Sequence, residues 1–375
     1  MKYYFLTGEP SGDLHASNCM KEIMKLDDKA DFAFTGGDLM EELTGKKAAI
    51  HIKQMAFMGF IRVLQNILTI KKNFKIVKQD ILSYKPDLLV LVDYPGFNLR
   101  MAKWAHEKGI KVDFYISPTV WAWKEGRVEI IKKYTNKLFV ILPFEEAFYK
   151  THNHKVYFVG HPLIDAIEQK KPLLKSKSDF IKENQLNEKP IIAVLPGSRT
   201  QEIEYMLGIM MEVTKNFKNY QFVVGGSTNL PNSFYESLKK YNIKVVFNQT
   251  YELMSYAEAG IIKSGTSTLE SALFKLPQVV CYKSGALSIK IAKLLVDVKY
   301  IGLPNLIMDK PVVKELIQND FSVKNISDEL TKLLNDKPYR DRIISDYTEL
   351  ITQLGGVGAS KRLAIELVKD AQTKN

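Results

Sequence analysis

Short apolar runs alternate with amphipathic stretches along most of this chain. "YYFLT" (3–7), "LLVLV" (88–92), "KVDFYI" (111–116) and "LFVIL" (138–142) are strand-length and almost continuously apolar, as strands buried on both faces of a parallel sheet must be. The pattern pauses at the lysine-rich "EQKKPLLKSKSDFIKENQLNEKP" (168–190). It resumes with "IIAVLP" (191–196), "YQFVVGG" (220–226), "IKVVF" (243–247), "GIIKS" (260–264) and "PQVVCY" (277–282). The segments between these runs read as helices. The prediction is an α/β protein of two strand–helix domains in tandem, 1–168 and 191–326, with 169–190 as a linker. From 327 to about 371 the chain reads as helical, broken at Gly355–Gly356, so that 327–375 would cross back to the first domain or reach a partner chain.

Composition fits that picture, since 375 residues with 46% apolar content are enough for two cores. The opening "MKYYFLTGEPSGD" meets glycine and proline too soon for the apolar core of a signal peptide, and no later window has the length of a spanning helix. A cytoplasmic protein is expected. Cys19 and Cys281 have neither zinc-ligand nor redox spacing, so no disulfide framework follows.

Charge changes the picture in one place. Between 43 and 79 there are eight basic residues and no acidic one, so that 11 − 8 leaves a net charge of only +3 for the rest. Such a patch suits phosphate-bearing partners, nucleic acid and anionic lipid headgroups alike. Within it, 55–75 has helical periodicity: Phe57, Phe60, Ile61, Val63, Leu64, Ile67, Leu68 and Ile70 cover about half of the circumference, opposite Arg62, Gln65, Asn66 and Thr69. Two readings fit, a helix packed on its own domain and a face inserted shallowly among anionic lipids. The lysine rim favours the second, with Ile61, Val63, Leu64, Ile67 and Leu68 as the acyl-facing patch.

Ligands of open α/β sheets bind beyond the carboxyl ends of the strands. Glycine-rich loops stand at those places: "GEPSGD" (8–13), "PGSR" (196–199) and "SGTST" (264–268). None is a dinucleotide fingerprint or a P-loop, and no HExxH or comparable metal constellation is present, so neither a cofactor nor a metal is expected. Gly265, Thr266, Ser267 and Thr268 suit a phosphate cradle at a helix start, with Glu270 one turn in, where a carboxylate can accept from ribose hydroxyls. Ser267 and Glu270 equally form an S-x-x-E capping box that needs no ligand. Gly197, Ser198 and Arg199 make a second phosphate-type loop, in which Arg199 either forks onto phosphate oxygens or pairs with Glu202 or Glu204. Asp93 ends a buried run before "YPGFN", as a general base or as a turn aspartate. "SPTVWAWKEGR" (117–127) brings Trp121 and Trp123 to the next strand end, to line a sugar or lipid site or to pack between domains.

"GEPSGD", "MGF", "VDYPGFN", "SPTVWAW", "LPFE" (142–145), "VGHPL" (159–163), "LPGSR", "SGTSTLE" and "LPN" (303–305) occur in an order and spacing that resemble the lipid-A-disaccharide synthase family over nearly the whole chain. The resemblance implies a GT-B glycosyltransferase, two Rossmann-like domains with parallel sheets facing a cleft and a helical C-terminal tail. It implies transfer of 2,3-diacylglucosamine from UDP to the 6-hydroxyl of 2,3-diacylglucosamine 1-phosphate. Asp93 is then the base of an inverting displacement, with UDP held by Gly197, Ser198, Arg199, Gly265–Thr268, Glu270 and Asn305. Glu9, Ser11, Gly12, Trp121 and Trp123 then fall on the acceptor side. The family reads "DAPDFN" where this chain has "DYPGFN", so Gly96 replaces one acidic residue and Asp93 is left as the matching base. The implied partners are UDP-2,3-diacylglucosamine, 2,3-diacylglucosamine 1-phosphate and an anionic membrane surface at the inner face of the inner membrane, without nucleic acid, and with a homodimer through the C-terminal helices as a further option. The alternatives are another UDP-N-acetylhexosamine enzyme, either a peptidoglycan-precursor transferase or an epimerase, and a non-enzymatic phospholipid- or nucleic-acid-binding protein.

Overall fold

The computed structural model describes residues 1–55, 66–122, 125–197, 200–228, 230, 235, 238, 241, 243–284 and 299–373. They form two α/β units, Met1–Glu168 together with Leu354–Asn375, and Gln169–Gln353. In the first unit β1 (Lys2–Leu6), α1 (Pro10–Leu26), β2 (Asp31–Thr35), α2 (Asp38–Thr44), α3 (Ile67–Tyr84), β3 (Leu88–Val92), α4 (Pro95–Glu107), β4 (Val112–Tyr115), α5 (Arg127–Tyr134), β5 (Lys137–Val140), α6 (Pro143–Thr151), β6 (Tyr157–Phe158) and α7 (Pro162–Lys170) follow in order. The strands make one parallel sheet in the order β2-β1-β3-β4-β5-β6. Successive side chains of β1 go to opposite faces, which is why the run must be apolar throughout. Tyr4 and Leu6 pack with α3, α4 and α5 through Val77, Ile81, Ala102 and Ile131. Tyr3 and Phe5 pack with α1 through Ala16, Cys19 and Met20.

The second unit has α8 (Lys177–Glu183), β7 (Ile191–Leu195), α9 (Thr200–Glu212), β8 (Gln221–Gly226), β9 (Lys244–Phe247), α10 (Thr250–Tyr256), β10 (Ala257–Lys263), α11 (Thr266–Leu273), β11 (Gln278–Tyr282), α12 (Leu303–Met308), β12 (Glu315–Ile317), α13 (Val323–Asn335) and α14 (Lys337–Gln353). Its parallel sheet runs β12-β11-β10-β7-β8-β9. In both sheets the first strand lies inside, so the order reverses beside it. The switch points fall between β1 and β3 and between β7 and β10, where crevices open beyond the strand ends.

Three expectations need correction. The stretch 169–190 is no free linker, because Phe180 of α8 is fully buried in the core of the second unit, with Leu186 packed against it. The helical tail divides: α13 and α14 belong to the second unit, where Tyr347 accepts from Gln278 at 3.1 Å, whereas α15 (Ala359–Gln372) packs on α1 in the first. The single helix over 55–75 does not form as drawn. Met55 is buried at the end of a 3-10 turn, Ile52–Gln54, and Asn66 is the N-cap of α3. Residues 56–65, with Ile61, Val63 and Leu64, lie outside the described residues. Strands β2, β6 and β12 were not expected; they are edge or near-edge strands of two to five residues with few consecutive apolar positions.

The return of α15 explains "VGHPL". The Asp165 carboxylate caps the helix, accepting from the N–H groups of Gly358 at 2.6 Å and Ser360 at 2.7 Å. Arg362 donates from Nε to the Val159 carbonyl at 2.8 Å and from Nη2 to that of Gly355 at 3.0 Å. Gly160 has φ +88, and a side chain there would strike the Arg362 guanidinium. At the other end of the helix, Lys111 Nζ donates to the Asp370 carbonyl at 2.8 Å and to Thr373 Oγ1 at 2.6 Å.

Candidate active site

At the β1/β3 switch point the chain leaves β3 through two successive non-glycine residues in the left-handed region, Asp93 (φ 47) and Tyr94 (φ 50). Each costs on the order of 1 kcal/mol or more, so other bonds must hold the turn. The Asp93 N–H donates to the Tyr115 carbonyl at 2.8 Å. Buried Asn98, at the start of α4, donates from Nδ2 to the carbonyls of Asp93 (2.7 Å), Val92 (3.2 Å) and Leu6 (3.3 Å), joining the ends of the two strands. The Tyr94 hydroxyl reaches the Met55 carbonyl at 2.8 Å, and its ring lies so close over Gly8 that no side chain fits there. The Asp93 carboxyl is pushed up to about 6, first by burial and then by the charge of Glu9, with the Tyr94 N–H working in the opposite direction. Two carboxyl groups therefore meet where the β1 and β3 loops converge.

The remaining "GEPSGD" residues divide by role. Glu9 is the N-cap residue of α1 and half-buried, Ser11 is exposed in the first turn, and Gly12 is buried. Asp13 is structural: its carboxylate accepts from Gly37, Leu39 and Met40 N–H at 2.8, 3.1 and 3.3 Å, capping α2. Gly96 is exposed, with open space where a side chain would project.

Trp121 is half-buried against Phe144, edge to face at 4.9 Å between centroids; Trp123 lies outside the described residues. Beside Trp121, Glu145 of "LPFE" is 1% exposed and accepts from the Leu142 and Ile141 N–H groups at 2.9 and 3.2 Å. Burial pushes this carboxyl up to about 7, against the pull of those N–H groups and of Trp121 and Ser117. Ser117 in turn shares a 2.7 Å bond with Tyr149, so the "SPTVW" loop is tied down by α6.

At the β7/β10 switch point lies a pocket of about 520 Å³, lined by Gly197, Gly225, Gly226, Ser227, Thr250, Lys263, Ser264, Gly265, Thr266 and Ser267. It takes its backbone from the ends of β7, β8 and β10 and from the first turn of α11, whose N–H groups have no acceptor within the helix. The capping-box reading fails here. Gly265 is the N-cap, the Ser267 hydroxyl donates to the Lys263 carbonyl at 3.2 Å, and Glu270 accepts from Tyr251 at 3.0 Å. Burial raises the Glu270 carboxyl, while the Tyr251 hydroxyl lowers it. Its Oε2 makes no hydrogen bond among the described residues.

Two expected ligands turn inward. Thr268 is fully buried, its hydroxyl donating to the Gly265 carbonyl at 2.8 Å and accepting from Leu303 N–H at 3.2 Å, so it cannot cradle phosphate with its side chain. Asn305 is 1% exposed and commits its amide to Val313 and Glu315 at 2.8 to 2.9 Å, shaping the start of α12 away from the pocket lining. Ser198 and Arg199 lie outside the described residues. Tyr251, Lys263 and Asn98 had no role in the sequence reading; the lysine's place at the last position of a buried strand was the available signal. Among the described residues, no group of three or more His, Cys, Asp or Glu is arranged around a metal position.

A family model described as lipid-A-disaccharide synthetase matches residues 3–367. The lipid-A-disaccharide synthase of Coxiella burnetii (strain Dugway 5J108-111) is 37% identical over 364 residues, 96% of each chain. That of Geobacter sulfurreducens is 34% identical over 366 residues, 96% of this chain and 94% of its own. Among solved structures, the UDP-GlcNAc 2-epimerase of Neisseria meningitidis bound to UDP-GlcNAc aligns with a TM-score of 0.66 at 14% identity, covering 98% of this chain and 100% of its own. The glycotransferase of kitacinnamycin aligns with a TM-score of 0.66 at 10% identity over 99% of both. At these identities the likeness is one of fold, and the two parallel sheets with their switch points put the chain in the GT-B-like fold class. Within that class, the match over nearly the whole length decides the matter: the chain belongs to the lipid-A-disaccharide synthase family.

Proposed function

We propose that this chain transfers 2,3-diacylglucosamine from UDP to the 6-hydroxyl of 2,3-diacylglucosamine 1-phosphate by a single inverting displacement. The acceptor oxygen forms its bond to the anomeric carbon as the bond to the UDP oxygen breaks. The hydroxyl proton goes to Asp93, and UDP leaves with the bonding electron pair. The observation that carries the reading is the Asp93 turn. A carboxyl of pKa about 6, in a strained conformation held by Asn98, is ionised near neutral pH yet basic enough to take a proton. In the second unit, the pocket beside the α11 N-terminus suits the diphosphate, and Glu270, with one oxygen fixed by Tyr251, suits a ribose hydroxyl. Arg199, next in sequence to the Gly197 loop, is assigned to the same diphosphate. Glu9, Ser11 and Trp121 are assigned to the acceptor side.

The test is mass spectrometry of the products formed from UDP-2,3-diacylglucosamine and 2,3-diacylglucosamine 1-phosphate. A β-linked disaccharide 1-phosphate with stoichiometric UDP is expected. Turnover of non-acylated UDP-N-acetylglucosamine in its place would favour the epimerase or peptidoglycan-precursor readings.

Both substrates carry acyl chains, and α3 presents a surface suited to where such chains reside. Leu68 is 78% and Ile67 46% exposed, beside exposed Lys71, Lys72 and Lys75, while Asn73, Val77 and Ile81 face the core. No described helix is long and apolar enough to cross a membrane. The proposed location is therefore peripheral, on the anionic cytoplasmic face of the inner membrane. A homodimer through the C-terminal helices would be detected by sedimentation equilibrium.

A further inference from the structure

Among the described residues that line the pocket at the β7/β10 switch point, Lys263 is the one with a full charge. It is the last residue of β10, directly before the Ser264–Gly265 turn into α11, so its side chain starts from the pocket wall. The stem lies across Gly197. A Cβ built on that glycine would come within 3.1 Å of Lys263 Cδ and within 3.9 Å of Cε, and Gly197 itself has φ +98. The glycine of the β7 loop is thus required twice, by its backbone conformation and by the lysine stem. The ammonium ends 5.9 Å from the Tyr282 ring centroid, at the end of the neighbouring strand β11. Backbone glycines at 225, 226 and 265 keep the rest of the wall low.

We propose that Lys263 is a further donor-site residue whose ammonium binds the diphosphate of a nucleoside diphosphate and meets the charge that builds on it as the glycosidic bond breaks. The inference rests on the donor-pocket reading above and adds to it a group that supplies a full positive charge beside the N–H groups of α11. A helix start stabilises an anion through partial charges. A full charge attracts the diphosphate more strongly as negative charge grows on it, so its contribution is larger for the leaving group than for the intact sugar nucleotide.

Binding of UDP and of uridine is measured by saturation-transfer NMR and titration calorimetry on the full chain, for wild type, Lys263→Met and Lys263→Arg, with thermal midpoints as the folding control. Methionine preserves the stem across Gly197 and removes only the charge. The expected result is about a tenfold loss of UDP affinity in Lys263→Met, uridine binding unchanged, most of the UDP affinity kept in Lys263→Arg, and a UDP affinity in wild type that falls more steeply with salt than in Lys263→Met. Equal UDP affinity in wild type and Lys263→Met overturns the proposal while leaving the donor pocket intact. Equal losses for UDP and uridine also overturn it, because the lysine would then act on pocket shape. Failure of the wild-type chain to bind UDP overturns the donor-pocket reading itself.

Discussion

Asp93 combines a strained backbone conformation with a buried carboxyl group, and the two properties meet in one turn. Its carboxyl, raised to about 6, binds a proton more readily in the folded chain than in the unfolded one, whose value lies near 3.8. Folded stability associated with this group is therefore lost as pH rises from about 4 through about 6. Ionised Asp93 then costs on the order of 3 kcal/mol at neutral pH. Asp93→Asn should raise the melting temperature at pH 8 relative to wild type, with a smaller gain at pH 4.5, and lower kcat by at least about a hundredfold with UDP affinity unchanged. The acid limb of kcat/KM in wild type should fall near pH 6. Glu9→Gln removes the neighbouring charge that helps raise Asp93 and should move that limb to lower pH; an unmoved limb would separate Glu9 from the base. Glu270 is the corresponding residue of the second unit. Because it caps nothing, Glu270→Gln leaves the Tyr251 bond in place and should weaken UDP binding about tenfold at an unchanged melting temperature, as read by calorimetry. Asp93 and Glu270 stand out in the sequence as candidates because a carboxylate after a buried strand or near a helix start is a countable signal. Thr268 and Asn305 were misread for the complementary reason: residue type does not reveal whether a hydroxyl or amide is already used inside the fold.

At the scale of elements, legibility followed burial on both faces. β1, β3, β7 and β10 sit in the middle of their sheets, and their continuous apolar runs mark them. Edge strands β2 and β12 carry polar or half-exposed positions, as edges do, and β6 has only two residues, so neither strand nor switch point could be counted from sequence. α3 shows the limit of periodicity most clearly. Periodicity alone left the apolar positions at 67 and 68 open to two readings, a core stripe and a lipid-facing patch; the core stripe is carried by Val77 and Ile81, and the earlier pair is exposed. Replacing Ile67 and Leu68 together with serine should therefore change the melting temperature little, within about 0.5 kcal/mol. The same variant should bind vesicles of anionic phospholipid more weakly than wild type in a flotation assay. Unchanged flotation would move the membrane contact elsewhere on the molecule.

Across the whole molecule, the first unit is discontinuous in sequence, since α15 completes it from the far end of the chain. From the sequence, the glycine break and the helix after it left two destinations open, the first domain and a partner chain. What decides its destination is a set of contacts between residues 193 to 259 positions apart: Asp165 on the helix start, Arg362 on the "VG" backbone and Lys111 on the helix end. The main-chain N–H of His161 donates to the Leu354 carbonyl at 3.0 Å, and burial holds the imidazole down at about 3, so it stays neutral beneath the returning chain. Gly160 is the point where this closure is easiest to break without touching either switch-point loop. Gly160→Val would place a branched side chain at φ +88 and against the Arg362 guanidinium, costing on the order of 3 kcal/mol or more. Because the residues named in this latch all belong to the first unit, the loss should be confined to one of two calorimetric transitions. The transition that UDP raises should keep its midpoint in Gly160→Val, and the other should fall by about 10 °C. A variant in which both transitions fall together would mean that the two units unfold as one, and would displace the latch from its role as a feature of the first unit alone.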